Sequence, residues 1–194
     1  MEKLLTLDYS TTSTGYAVFD IRSKTLLDFG VIKPGKIKKT KNQLRDTVAK
    51  LQSVADQIVA LIEKSQPTQI VIEQVNLGKN RVSQKTLDGG HFLLYEKLGK
   101  WLEVVLLVDS DGPQGWRTKL NLKLTEEDKK SNAINSKLNK KKAKGTPDYL
   151  IVNKKHLAAR SVNATLGTSF DVDKNAGDSD QVDAIGIGIA RLLI

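Results

Sequence analysis

The first 32 residues restrict the fold more tightly than any other part of the chain. Three apolar runs, Leu4 to Asp8, Gly15 to Ile21, and Thr25 to Val31 with Ile32, are separated only by the turn-forming stretch after Tyr9 and by Arg22-Ser23-Lys24. Parallel neighbours need a crossover of roughly a dozen residues, so connections this short predict an antiparallel three-stranded meander. The period then changes. Leu44, Val48, Leu51, Val54, Ile58, Leu61 and Ile62 step by three or four, which predicts an amphipathic helix over residues 42–65, stopped by Gln66-Pro67-Thr68. Ile70-Val71-Ile72-Glu73 follows as a run apolar on both faces, as in a strand covered on each side. A second helix is expected from about Ser83 to Lys100, another strand over Val104 to Val108, and a strongly apolar helix from about Ser179 to Leu193. The order βββαβαβ followed by helices predicts an α/β fold with a mixed sheet and helices on its faces.

Composition sets outer limits. At 194 residues the chain is expected to form one domain. It contains no apolar stretch near the roughly 20 residues of a membrane-spanning helix. Asp8 interrupts the N-terminus before a signal-peptide apolar region could form, so the expected location is cytoplasmic. With no cysteine, a disulfide framework, a thiolate zinc site and a cysteine nucleophile are excluded, and a metal would be held by oxygen or by His91 and His156. The 31 Lys and Arg residues outnumber 22 acids, giving a charge of +9. Residues 119–155 hold eleven lysines against four acids, with residues 138–148 read as an exposed loop inside a basic insertion at about 123–150. A polyanion is a plausible partner for such a surface.

Against that basic background, four carboxylates interrupt apolar elements at their ends. Asp8 closes the first strand and Glu73 the fourth; if those strands are parallel neighbours, both acids emerge at one sheet edge, where α/β proteins place their ligands. In Asp178-Ser179-Asp180-Gln181-Val182-Asp183, Asp178 and Gln181 resemble a capping box. Asp180 and Asp183 then fall on one helix face, continued by Ala184, Ile187 and Ala190, and are expected to face the sheet. Each acid alone could be a turn former, a cap or a dipole partner. As a set, they would repel one another unless a cation held them, and all-oxygen ligands suit Mg²⁺ or Mn²⁺. Trp116 is expected in the core, His91 in packing or an interface, and the Gly186 and Gly188 pair where a helix closely approaches the sheet.

These residues resemble the RuvC family of Holliday junction resolvases. The likeness rests on Leu7-Asp8-Tyr9-Ser10 with Thr14-Gly15-Tyr16-Ala17, on Ile72-Glu73-Gln74-Val75 with Lys79-Asn80, and on Asp180-Gln181-Val182-Asp183-Ala184-Ile185, in the family's order and spacing. The resemblance implies a ribonuclease-H-like fold with a central five-stranded sheet. It also implies a homodimer that cuts branched DNA in paired strands, leaving 5′-phosphate and 3′-hydroxyl ends. Asp8, Glu73, Asp180 and Asp183 become a metal-binding tetrad for about two Mg²⁺ or Mn²⁺ ions, which together activate water and stabilise the leaving oxygen. Lys155 is similar to a family lysine that contacts the scissile phosphate, although it could equally be one more solvated lysine. The candidate DNA contacts are Asn76, Lys79 and Asn80 beside the second motif, Arg117, which could carry a phosphate contact, and Lys119, Lys140, Lys141 and Lys142 of the basic segment. Asn76 stands where bacterial members carry a phenylalanine. With the basic insertion, that departure makes a phage-type member the better match, with three-way junctions and forks as further substrates.

Two other readings use the same residues. Asp8-Tyr9-Ser10-Thr11-Thr12 before a hairpin resembles the phosphate-binding opening of actin-like ATPases and sugar kinases, which need two such lobes where this chain holds one. A basic branched-DNA-binding module without catalysis would carry the same charge, but it would have no need of all four carboxylates.

Overall fold

In the computed structural model, residues 1–74, 81–175 and 177–193 are described. The meander forms as expected: β1 (Lys3–Asp8), β2 (Thr14–Asp20) and β3 (Thr25–Ile32) pair antiparallel in sequence order. Asn42 caps α1 (Gln43–Ser65) by accepting the Arg45 amide at 3.1 Å, and Gln66, in the left-handed region, closes it before Pro67. The chain then returns as β4 (Gln69–Glu73), parallel to β1 with Leu7 opposite Ile72. After α2 (Arg81–Leu98) and a 3-10 turn over Gly99–Val104, β5 (Val105–Val108) adds parallel to β4. The result is the expected mixed five-stranded sheet, in the order β3-β2-β1-β4-β5. Next come a single-turn helix α3 (Trp116–Lys119), then α4 (Glu126–Lys141), α5 (Lys154–Leu166) and α6 (Asp178–Leu192).

Strand side chains alternate between two cores. Leu5 and Leu7 of β1, with Ile70 and Ile72 of β4, face Val54, Ile58 and Ile62 of α1 and Leu94 of α2. Leu4 of β1 and Val71 of β4 face Trp116, Ala158 and Val162 of α5, and Val182, Ile185 and Ile187 of α6. The second core is the one that positions chemistry, because α6 is drawn close onto β1 and β2. The Thr6 hydroxyl, buried in β1, donates to the Ala184 carbonyl at 2.7 Å. Glycine permits the approach, as expected for Gly186 and Gly188. A Cβ at Gly188 would lie 2.1 Å from the Phe19 ring and one at Gly186 would lie 2.6 Å from Trp116. The same device operates at Gly15, where a Cβ would stand 1.8 Å from the Asp180 carbonyl oxygen.

Several expectations are corrected. Leu44 and Val48 belong to the apolar stripe of α1 by periodicity but are exposed, and the buried side of that helix begins only at Leu51. Leu106 and Leu107 are exposed because β5 is the edge strand. The stretch expected as a loop from residue 138 remains helical through Lys141. Thr125 and Asp128 form a reciprocal capping box, and the acids of the first turn and the lysines of the last both complement the helix dipole. Along one side of α4, Asn132 and Asn139 each pair with both backbone groups, of Val152 and Tyr149 respectively, and Asn135 donates to the Leu150 carbonyl. Asp128 accepts two bonds from Arg160 at 2.9 and 2.8 Å, which anchors α4 to α5 and holds its carboxyl down at about 2. Finally, Asp178 does not cap α6. Gly177 holds that position, and the Asp178 carboxylate accepts instead from the Asp171 amide and from Asn175, tying down the preceding loop.

Glycine substitutions test the close approach. Gly188→Ala would regain about 1 kcal/mol of helix propensity but would overpack a buried ring at a cost of about 3 kcal/mol, the upper end for such changes given the 2.1 Å approach, so its expected net effect is a loss of about 2 kcal/mol in urea unfolding. Gly89, in α2, has open space where a Cβ would go. There Gly89→Ala is expected to stabilise by about 0.5–1 kcal/mol; equal effects at the two sites would contradict the packing described.

Candidate active site

Parallel pairing and strand alternation together set the acidic edge. Asp8 follows Leu4 and Thr6 on the α6 side of β1, and Glu73 follows Val71 on the same side of β4, at the carboxyl ends of adjacent strands. Asp8 is also directly opposite Gly15, the residue on which the first turn of α6 rests. Asp180 and Asp183 are therefore carried to the same edge. Asp183 is buried and Asp180 is half-buried, accepting a short hydrogen bond from the Ser13 hydroxyl. The sheet-facing orientation expected for this helix face holds for Asp183.

Glu73 is held on several sides. The Trp116 indole donates to its Oε2 at 3.3 Å, the Ser110 hydroxyl hydrogen-bonds to it, and Arg117 Nη1 stands 4.0 Å from its Oε1. Trp116 is thus the expected core residue, fully buried, and also a partner of the acidic edge. The turn after β5 places both residues. The Trp116 amide donates to Asp109 and the Arg117 amide to Ser110, and Gly115 lies too close to Asp111 to carry a side chain. Arg117 was expected to contact DNA. In this structure its guanidinium faces inward, with Nη2 3.2 Å from Asp183 Oδ2, and is stacked 4.6 Å from the Trp116 ring centre.

The carboxyls respond to burial and to one another. Burial, followed by the charges of Asp183, Glu73 and Asp180, holds the Asp8 carboxyl well above the usual carboxylate range, with Arg117 opposing. Burial also raises Glu73, against the pull of Arg117 and its hydrogen bonds to Ser110 and Trp116. Asp183 is pushed up to about 6, chiefly by burial, while Arg117 and Lys155 pull the other way and Glu73 adds to the rise. Lys155, exposed in the first turn of α5, is thereby within electrostatic reach of the edge.

The donor set fits a divalent cation. It is all oxygen, and Asp183 Oδ1 is buried without a hydrogen-bond partner, a cost that a bound cation would remove. Among the described residues, no three acidic or histidine side chains form a finished cage. The histidines lie elsewhere. His91 packs edge-on against Tyr9 and hydrogen-bonds Tyr95 through Nδ1 at 2.9 Å, while His156 pairs with Asp173.

The remaining candidates are dispersed. Asn76, Lys79 and Asn80 lie outside the described residues. Lys119 is exposed on α3 and lines a cleft with Leu106, Ile187 and Arg191 beside β5. Lys140 and Lys141 are exposed at the end of α4, but Lys142 folds back onto Asp148 and the Thr146 carbonyl, so its charge is already paired. Reading the sequence missed Ser13, Ser110 and the inward direction of Arg117. The position of residues 109–117, directly after a strand parallel to the one ending in Glu73, was the available signal.

The family model described as crossover junction endodeoxyribonuclease RuvC matches residues 4–90. No curated protein matches the chain. Among solved structures, Thermus thermophilus RuvC in complex with a Holliday junction substrate is similar at 12% identity and a TM-score of 0.59, covering 98% of this chain and 92% of that one. A second Thermus thermophilus RuvC structure aligns at 13% identity and a TM-score of 0.55, over 97% of this chain and 92% of that one. The yeast mitochondrial Holliday junction resolvase Ydc2 aligns at 12% identity and a TM-score of 0.55, over 98% of this chain and 78% of that one. The fold is ribonuclease-H-like.

The raised carboxyl of Asp183 gives metal-free protein a defined pH response. Stability from its protonated form is complete below about pH 4 and is lost as the pH rises through about 6. In chelator, Asp183→Asn keeps that side chain uncharged. The variant is therefore expected to gain on the parent between pH 4 and 6.5, by at most about 3 kcal/mol, and to run parallel to it above pH 7. A difference that stays constant across that range in urea unfolding would place the titration on another group.

Proposed function

We propose that this RuvC-like chain is a divalent-metal-dependent, structure-selective endonuclease that resolves four-way DNA junctions, with three-way junctions and forks as further substrates. The observation that carries this reading is the edge itself: Asp8, Glu73 and Asp183 reach one end of adjacent parallel strands from β1, β4 and α6, electrostatically coupled, with a buried Asp183 oxygen left unpartnered. Asp8, Glu73, Asp180 and Asp183 would hold Mg²⁺ or Mn²⁺, two per site. The chemistry supplied there by bound cations is Lewis-acid stabilisation of the phosphate and a lowered pKa for the attacking water.

The other assignments concern the chain's own residues. Ser13 fixes the Asp180 carboxylate, and Trp116 and Ser110 fix Glu73, so the donors do not have to be ordered during the reaction. Lys155, whose charge already acts on Asp183, is suited to a non-bridging oxygen of the scissile phosphate. The DNA backbone is gripped by Lys119 and by Lys140 and Lys141 at the far end of α4, with Lys142 secondary because of its pairing to Asp148. Asn76, Lys79 and Asn80 complete the proposed contact set. Paired cuts require two such edges, hence a homodimer. Exposed Leu44 and Val48 on α1 and Phe92 on α2 are apolar surface available to a second copy. Among the described residues, no helix is long and apolar enough to cross a membrane. Cleavage leaves ligatable 5′-phosphate and 3′-hydroxyl ends.

The test uses purified protein and labelled four-way, three-way, forked and linear DNA, with and without Mg²⁺ or Mn²⁺. The expected result is paired cleavage of branched DNA only when metal is present. Asp8→Asn and Asp183→Asn are expected to lose cleavage by at least about a hundred-fold while still shifting junction mobility. Binding is expected to weaken with salt, at a log-log slope of roughly −0.9 per phosphate neutralised. Full cleavage by either variant would remove the edge from the mechanism, and nucleotide binding without cleavage would favour an ATPase-like lobe.

A further inference from the structure

Arg117 lies inside a site whose chemistry calls for a metal cation. Its guanidinium spans three carboxylates from separate parts of the chain: Asp183 Oδ2 at 3.2 Å, Asp111 Oδ2 at 3.9 Å and Glu73 Oε1 at 4.0 Å. The side chain is only 17% exposed. Two features show that these contacts are not those of a finished structural ion pair. Nε of Arg117 and Oδ1 of Asp183 are both buried without partners. By contrast, Arg160 in the same molecule gives its Nη1 to a single carboxylate, at 2.9 and 2.8 Å from the two oxygens of Asp128. A guanidinium gains most from close contact with one carboxylate, whereas Arg117 is spread over three, only one of them, Asp183 at 3.2 Å, within hydrogen-bonding distance.

We propose that Arg117 is a resident counter-cation of the acidic edge: it neutralises Glu73 and Asp183 in the metal-free protein and competes with a divalent cation for them. The proposal rests on the reading of this edge as a cation site. A single delocalised charge held at 3.2 to 4.0 Å is a weaker partner for several carboxylates than a compact dication at oxygen-coordination distance, so exchange favours the metal. The displaced guanidinium has room to move. A cleft of about 170 Å³ lined by Asp111, Arg117, Asn121, Lys123 and Lys154 adjoins it, and Asp111 is half-exposed on that side. There Arg117 would stand beside Lys123, with Lys154 already paired to Asp111 at 2.8 Å, on a rim whose net charge grows more positive as the guanidinium arrives. The residue expected from sequence to touch DNA is thus stored against the carboxylates until metal releases it. In this role Arg117 is a positioning residue that sets the order of loading, metal before phosphate.

The experiment measures metal binding by the full chain without DNA, by calorimetric titration of chelator-stripped protein with Mn²⁺ and by melting in Mn²⁺ or in chelator. Arg117→Gln is expected to bind Mn²⁺ on the order of ten-fold more tightly than the parent, which a loss of packing would not produce. It is also expected to melt lower than the parent in chelator and to recover most or all of that deficit as Mn²⁺ is added. Arg117→Lys keeps the charge but cannot span the acids, so its affinity should fall between the two. If Arg117→Gln is too unstable to titrate, the lysine variant decides the matter: tighter than the parent supports competition, and equal or weaker overturns it. Unchanged or weaker Mn²⁺ affinity in Arg117→Gln would likewise overturn the proposal while leaving the nuclease reading intact. A parent protein that binds no Mn²⁺ and cuts no junction would overturn both.

Discussion

Side chains two residues apart on a strand share a face, and in β1 that rule sends Leu4 and Thr6 into the α6 core and delivers Asp8 to the same side. In β4 it does the same with Val71 and Glu73. The carboxylates cannot separate without breaking the alternation that buries Leu5, Leu7, Ile70 and Ile72 against α1 and α2. Hydrophobic packing on one face therefore compels charge repulsion at the edge of the other. The Thr6 hydroxyl and Gly15 extend the constraint to α6, fixing the helix so closely that its aspartates join the crowded edge.

Around this edge the surrounding residues act as electrostatic compensation. Burial raises the carboxyls, Arg117 offsets part of the repulsion, and Ser13, Ser110 and Trp116 each hold one acid in place. Under the proposed function the basic surface answers a different need, because a phosphodiester is itself negative and would be repelled by the same acids. A site that holds cations and an anionic substrate together needs positive charge near it but outside the ligand set, which is where Lys155 stands.

The meander and the mixed character of the sheet were legible because they follow from connection lengths, two turns too short for a crossover and then two crossovers long enough to contain helices. The pairing of β4 with β1 entered only as a condition, since connection length does not choose which edge a returning strand joins. Asp8, Glu73 and Asp183 were legible because a charge at the end of an apolar run has few ways to be comfortable. Side-chain partnerships that depend on tertiary approach were not. Nothing local marks Ser13 as the partner of Asp180 or turns Arg117 inward; both follow from how closely α6 and the β5–α3 turn approach the strands. Asp178 misled because its spacing to Gln181 fits a cap, whereas the preceding loop claims its carboxylate for the Asp171 amide. Residues 138–141 misled because a lysine run resembles a solvated loop, yet at a helix C-terminus those same charges favour the helix.

The polar attachment of α4 separates its length from the geometry of the sheet. Its Asp128–Arg160 anchor and the asparagines facing residues 149–152 hold a helix of 16 residues, about 24 Å long at 1.5 Å per residue, using side chains that play no part in the sheet. A helix secured in this way can gain or lose whole turns without disturbing the strands that place the acids. The reach of its lysine-bearing end can therefore change in steps of about 5.4 Å while the acidic edge stays where the strands place it.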